Sequence, residues 1–206
     1  MPRIPPVTRA LLIANIVVFL LQQVTGDALI VHFALWPLGQ SPYQDVPGFE
    51  PWQLITYSFL HGGIPHIAFN MLALWMFGGP VEQALGARRY TNYYFACVLG
   101  AAVAQLATLA LFPPNGFFPT LGASGGVFGL LLAFAVMFPQ ARVFLFFIPA
   151  PIPARIAVVG YMILELFLGV TGTQAGVAHF AHLGGAVVGF VLLQYWRNQA
   201  RARRGR

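Results

Sequence analysis

Apolar residues gather along this chain in six runs, over residues 8–25, 64–79, 90–112, 124–138, 155–171 and 178–196, with short polar connections between them. A bilayer's hydrocarbon core of roughly 30 Å needs about 20 apolar residues per helical span, so the pattern predicts an all-α bundle of six transmembrane helices in one membrane domain. The fourth helix is the exception. At 1.5 Å per residue, Ser124 to Phe138 reaches only about 22 Å, too short to cross alone. Residues 197–206 read as a basic tail outside the bundle.

Composition agrees with the pattern. With 58% hydrophobic and 8% charged residues, the 206-residue chain has too little polar surface to cover a soluble globule of its size. Cys97 is the single cysteine, so no intramolecular disulfide forms, and it reads as a small packing residue. The first apolar run follows Arg3 and Arg9 but no small-x-small cleavage site follows it, which makes it a retained helix and not a secretory leader.

The positive charges are all arginines. With six spans, all of them (Arg3, Arg9, Arg88, Arg89, Arg142, Arg155 and those from Arg197 onward) fall on one side. The connections around 26–60, 113–120 and 172–177 carry Asp27, Asp45 and Glu50 and no base. The positive-inside rule makes the arginine side, with both termini, cytoplasmic. Trp36, Trp52, Trp75 and Trp196 fit interfacial belts. A net charge of +6 does not point to nucleic acid, because the arginines line membrane edges where they meet anionic headgroups. The lysine-free composition and short loops point to a bacterial inner membrane.

In that orientation His32, His61, His66, His179 and His182 all fall in the first outer loop or at outer helix ends. Polar groups at membrane depth are costly and mark wet cavities or functional sites. With the inner end of the short fourth helix anchored near Pro139 and Arg142, Ser124 sits at the floor of a cavity open to the outside. Irregular backbone such as GFFPTLGA is tolerated there only inside protein or beside water. The helix N-terminus suits a developing oxyanion. Ser124 is then the candidate nucleophile and His182, one turn into the last helix, its general base. Gly185 and Gly189 share a face with His182, and together with Gly125 and Gly129 they allow close helix approach. His66 and Asn70, four apart on one face, supply side-chain donors to the oxyanion.

Competing readings remain. GASGG also fits the nucleophile elbow of soluble hydrolases, which needs a strand-to-helix turn, and it fits plain helix-packing glycines. His179 and His182 at i, i+3 are compatible with a metal or haem site that lacks further ligands. Glu165, ten residues into the fifth span, reads as a packing carboxylate or a relay. No acid is expected at the depth of His182, which predicts a Ser-His dyad without a third member.

The ordered motifs HGGIPHIAFN (61–70), GASG (122–125) and AHLGGAVVG (181–189) resemble those of the rhomboid intramembrane serine proteases over essentially the whole six-helix core. By that resemblance Ser124 is the nucleophile and His182 the base, with no metal or cofactor. His66 and Asn70 match the oxyanion donors, with Gly122 beside them in the substrate-binding group. His61 matches a further second-helix histidine, and Gly185 and Gly189 match the glycines that bring the sixth helix against the fourth. Two positions depart from the family. Trp52 and Gln53 stand where a Trp-Arg pair is frequent, and Phe128 stands where a tyrosine often stacks on the histidine.

The resemblance implies acyl-enzyme hydrolysis of single-pass transmembrane substrates that unwind near the outer face, with small residues at the cut. It also places the first loop in the outer interface and makes the fifth helix a substrate gate. A catalytically inactive rhomboid-like binder of membrane clients is the alternative. A small transporter would need inverted repeats and midplane charges, and only Glu165 is present. Oligomeric state has no signal in the sequence.

Overall fold

A computed structural model describes residues 3–39, 41–42, 44–45, 48–113, 116–143, 150–171 and 178–204. Helix α1 (Pro6–Thr25) starts with proline in its first turn, where a missing N–H costs nothing. A connecting region carries α2 (Ala28–Phe33) and α3 (Gln53–Thr56), which tightens into a 3₁₀ turn over Tyr57–Phe59. Next come α4 (Ile64–Ala73), a π-helical turn over Leu74–Gly78, and α5 (Gly79–Leu85). α6 (Ala87–Leu111) and α7 (Ser124–Met137) follow. A two-residue antiparallel pair, β1 (Arg142–Val143) with β2 (Ile152–Pro153), leads into α8 (Ala154–Thr171), and α9 (His179–Arg204) closes the chain.

Two elements run further than their apolar runs. The run at 64–79 continues as one rod to Leu85. Pro80 cannot extend a regular ladder, and the π turn just before it absorbs the mismatch. The basic stretch expected as a tail from residue 197 is the last part of α9 as far as Arg204, because Gln, Ala and Arg are strong helix formers. The connection at 172–177 and Arg206 lie outside the described residues. Pro6–Thr25, Ile64–Leu85, Ala87–Leu111 and Ala154–Thr171 are each long and apolar enough to cross a membrane, while α7 is apolar but shorter.

α7 runs through the centre. Gly125, Gly126, Val127, Phe128, Gly129 and Leu130 are consecutive buried residues, as expected for a helix apolar on every side. α6 and α9 flank it, and the absence of side chains sets the spacing. A Cβ on Gly185 would collide with the Gly125 carbonyl, so α9 and α7 touch backbone to backbone. Gly189 packs against α6. It lies against the Tyr93 hydroxyl and Cys97 of α6, and Gly129 meets the same Cys97. Cys97 is thus a buried packing residue.

At the end of the bundle where α1 begins, Glu82 of α5 is buried and accepts from the Val7 and Thr8 amides at 2.9 and 2.7 Å and from the Thr8 hydroxyl at 2.7 Å. Those amides belong to the first turn of α1 and have no partner within their own helix, so a carboxylate from another helix caps it. Removing it strands buried donors. Glu82→Ala is expected to destabilise the fold by about 2–4 kcal/mol, measured by reversible unfolding in detergent; a loss below about 1 kcal/mol would show that the cap is dispensable.

Candidate functional site

Ser124 is the first residue of α7, and the segment before it is held by backbone pairing. Leu35 and Thr120 exchange both N–H···O bonds, at 2.9 and 2.8 Å, and the Gly122 amide donates to the Tyr57 carbonyl at 3.0 Å. Tyr57 in turn donates its hydroxyl to the Val98 carbonyl on α6 at 2.8 Å. The connecting region is anchored at Gln53, which has no exposed surface. Its Oε1 accepts from the Trp36 amide at 3.1 Å and its Nε2 donates to the Gly48 carbonyl at 3.0 Å. The position that departs from the family's arginine therefore still ties its loop together.

These supports surround a cavity of about 880 Å³ whose lining includes His66, Asn70, Ser124, Tyr161, Glu165 and His182. Ser124 Oγ lies 2.8 Å from His182 Nε2. The Phe128 ring stacks on the His182 imidazole with centroids 4.2 Å apart and planes within 7°, and Tyr161 also packs against Phe128, with centroids 5.1 Å apart. A phenyl ring thus provides the stack without a hydroxyl.

Glu165 corrects the expectation that no acid stands at the depth of His182. Its Oε2 lies 2.8 Å from His182 Nδ1 and 2.7 Å from His179 Nδ1, and the carboxylate is buried. Ten residues from the start of the run put it near mid-membrane. Counted from Thr171, however, it is only six residues, roughly 9 Å, from the end of α8, while His182 is the fourth residue of α9. Glu165, His179 and His182 also form a donor set within 4.8 Å, of the kind zinc accepts. At 2.7 and 2.8 Å the contacts have hydrogen-bond geometry, and His182 commits its other nitrogen to Ser124.

His66 and Asn70 reach the cavity from α4. His66 Nδ1 accepts from the Gly62 amide at 3.3 Å, which leaves the ring proton on Nε2. Asn70 Nδ2 donates one hydrogen to the His66 carbonyl at 3.0 Å and keeps a second. Gly122, grouped with the oxyanion donors on sequence grounds, has its amide committed to Tyr57 and provides space instead. A Cβ there would sit 2.8 Å from His66 Nε2 and 3.7 Å from Ser124 Oγ, so those two atoms lie no further apart than the sum of the distances.

His61 is buried just before α4, edge-on to His66 with centroids 5.1 Å apart, and does not line the cavity. Burial, and then the neighbouring His66, hold its pKa down to about 4, so it stays neutral at physiological pH. Gln22 of α1 clamps its backbone, with Oε1 accepting from the His61 amide at 3.0 Å and Nε2 donating to its carbonyl at 3.2 Å. The only sequence signal for this clamp is a glutamine near the end of an apolar run. His32 is not among the cavity-lining residues; its carbonyl accepts from Trp52 Nε1 at 2.9 Å, and its ring lies edge-on to Phe33.

A family model described as a rhomboid domain matches residues 48–199. The chain is 33% identical over 148 residues to "Rhomboid protein 1, mitochondrial" of Saccharomyces cerevisiae, covering 66% of this chain and 39% of that protein. It is 30% identical to "Rhomboid protease GluP" of Bacillus subtilis (90% of this chain, 34% of the relative) and 29% identical to "Rhomboid protease GlpG" of Serratia proteamaculans (96% and 64%). It therefore spans between about a third and two thirds of the length of these relatives.

Gly122 combines φ of +128° with no room beside His66. Gly122→Ala is expected to cost about 1–3 kcal/mol through backbone strain and displacement of the ring. Thermal unfolding measures it, and an unchanged melting temperature would mean that His66 and the turn relax freely.

Proposed function

The chain belongs to the rhomboid family, and from that premise we propose that it is an intramembrane serine endopeptidase in which Ser124 attacks and His182 acts as general base. The observation that carries this reading is the 2.8 Å contact between Ser124 Oγ and His182 Nε2 on the wall of the cavity. His182 Nε2 takes the hydroxyl proton as Oγ bonds to the scissile carbonyl carbon, giving a tetrahedral oxyanion. The C–N bond breaks as Nε2 returns that proton to the leaving amine, and an ester on Ser124 remains. Water then attacks the ester, giving its proton to Nε2, and the acid product leaves as Oγ regains a proton. No metal or cofactor enters the scheme.

Three donors suit the oxyanion. The Ser124 amide opens α7 without an intrahelical partner, His66 presents Nε2–H, and Asn70 has a spare amide hydrogen. Each is worth most in a water-poor site, where a charge that develops in the transition state meets fixed dipoles.

In this reading α7 and α9 complete six spans. Arg3, Arg9, Arg88, Arg89, Arg142 and Arg155 mark the cytoplasmic side together with both termini, in an inner membrane of bacterial type. Ser124 then opens toward the outer face. The substrates are single-pass membrane proteins whose helix unwinds near that face, with small residues at the cut.

A fluorophosphonate probe tests the assignment. Wild type should label on a single serine. Ser124→Ala should not label, and His182→Ala should label at least about 10³-fold more slowly. In vesicles, a panel of single-span proteins should be cut by wild type and not by Ser124→Ala. Equal labelling of wild type and Ser124→Ala would refute the nucleophile. An unlabelled, inactive wild type that still retains single-span clients would favour the alternative of an inactive binder.

A further inference from the structure

Resting on the serine-protease reading, we propose that Glu165 is a positioning residue that fixes the tautomer and the flip state of the His182 ring, and that His179 holds Glu165 in place. The Phe128 stack, with planes within 7°, restrains the tilt of the His182 ring but does not distinguish its two flip states about Cβ–Cγ. A half-turn about Cβ–Cγ keeps that plane and puts the carbon Cε1 where Nε2 meets Ser124, and Cδ2 where Nδ1 meets Glu165. A bond to the opposite ring nitrogen excludes that flip, and Glu165 Oε2 makes one at 2.8 Å.

A carboxylate only accepts, so the nitrogen facing it carries the proton. His182 is thereby the Nδ1–H form, with the lone pair of Nε2 turned to the Ser124 hydroxyl 2.8 Å away. When Nε2 takes the serine proton, the imidazolium gains a carboxylate already in contact. The proton stays on the ring, and Glu165 remains ionised throughout.

His179 accounts for how a buried carboxylate on α8 keeps its aim. Its Nδ1 donates to the same Oε2 at 2.7 Å from the turn of α9 just before His182. Its Nε2 is buried and has no partner among the described residues, so Glu165 is the hydrogen-bond partner of this ring. One oxygen is thus held between two imidazoles spaced i, i+3 on a single helix. Among the described residues no arginine pairs with Glu165, and its ion-pair partners are these two rings.

Three comparisons test the role. In Glu165→Gln the neutral amide either binds one imidazole more weakly or turns its NH₂ toward Nδ1, which imposes the wrong tautomer. Expected is a fall of about 10²–10³-fold in kcat on a single-span substrate, with KM within about twofold and an unchanged fraction of folded protein; a carboxylate-to-amide change at a comparable buried position in another fold costs about 10⁴-fold. Glu165→Asp, which keeps the charge, should recover at least about tenfold over the glutamine variant.

The third comparison needs no mutation. Side-chain ¹⁵N shifts of histidine-labelled wild type should place the His182 proton on Nδ1. Wild-type kcat in Glu165→Gln, or a His182 proton found on Nε2, overturns the proposal while leaving Ser124 labelling intact. Failure of wild type to label at Ser124 would instead bring down the protease reading itself.

Discussion

The 2.8 Å meeting of Ser124 and His182 depends on a backbone contact between Gly185 of α9 and the carbonyl of Gly125 on α7. It lies one residue beyond Ser124 and three beyond His182. Any side chain at Gly185 would wedge the helices apart and lengthen the 2.8 Å hydrogen bond between the two functional groups. In an apolar solvent, where burial provides no drive for helices to associate, such close approach is also what makes the association favourable.

The shortness of α7 follows from the same requirement. Its N-terminus must lie below the rim of the bundle for its hydroxyl to meet His182, so the chain has to descend to it as irregular backbone. That descent exposes amides and carbonyls which lipid cannot satisfy. Several of these groups have named partners: Thr120 with Leu35, Gly122 with Tyr57, and His61 with Gln22. The buried polar side chains around the cavity thus form a scaffold for non-helical backbone, and Gln53 extends it into the first connection. At the other end Glu82 does similar work for the first turn of α1.

The His182 ring is restrained in two independent ways. Phe128 provides a flat apolar surface backed by Tyr161, and Glu165 provides a directional bond to Nδ1. The two restraints come from α7 and α8, so the His182 ring on α9 is a meeting point of three helices. α8 turns a largely lipid-compatible face outward, with Ile156, Val159, Ile163 and Phe167 exposed, and sends Tyr161 and Glu165 into the cavity.

The all-α architecture and the places where helices begin were legible from residue order alone, because hydropathy, proline and glycine act over a few neighbouring positions. So was Ser124 at the head of a short helix, together with histidines gathered at one end. What residue order did not yield depended on which faces meet. Gly189 packs against Tyr93 and Cys97 of α6, the Gly122 amide donates to Tyr57, and Gln22 reaches across to His61. The position of Glu165 along its own run does not reveal its partner, which is set by the rotation of α8 against α9. Local chemistry selects the elements and marks candidate residues, but rotation and height of one helix against another are properties of the packed bundle, and pairings across it exist only once that packing is complete.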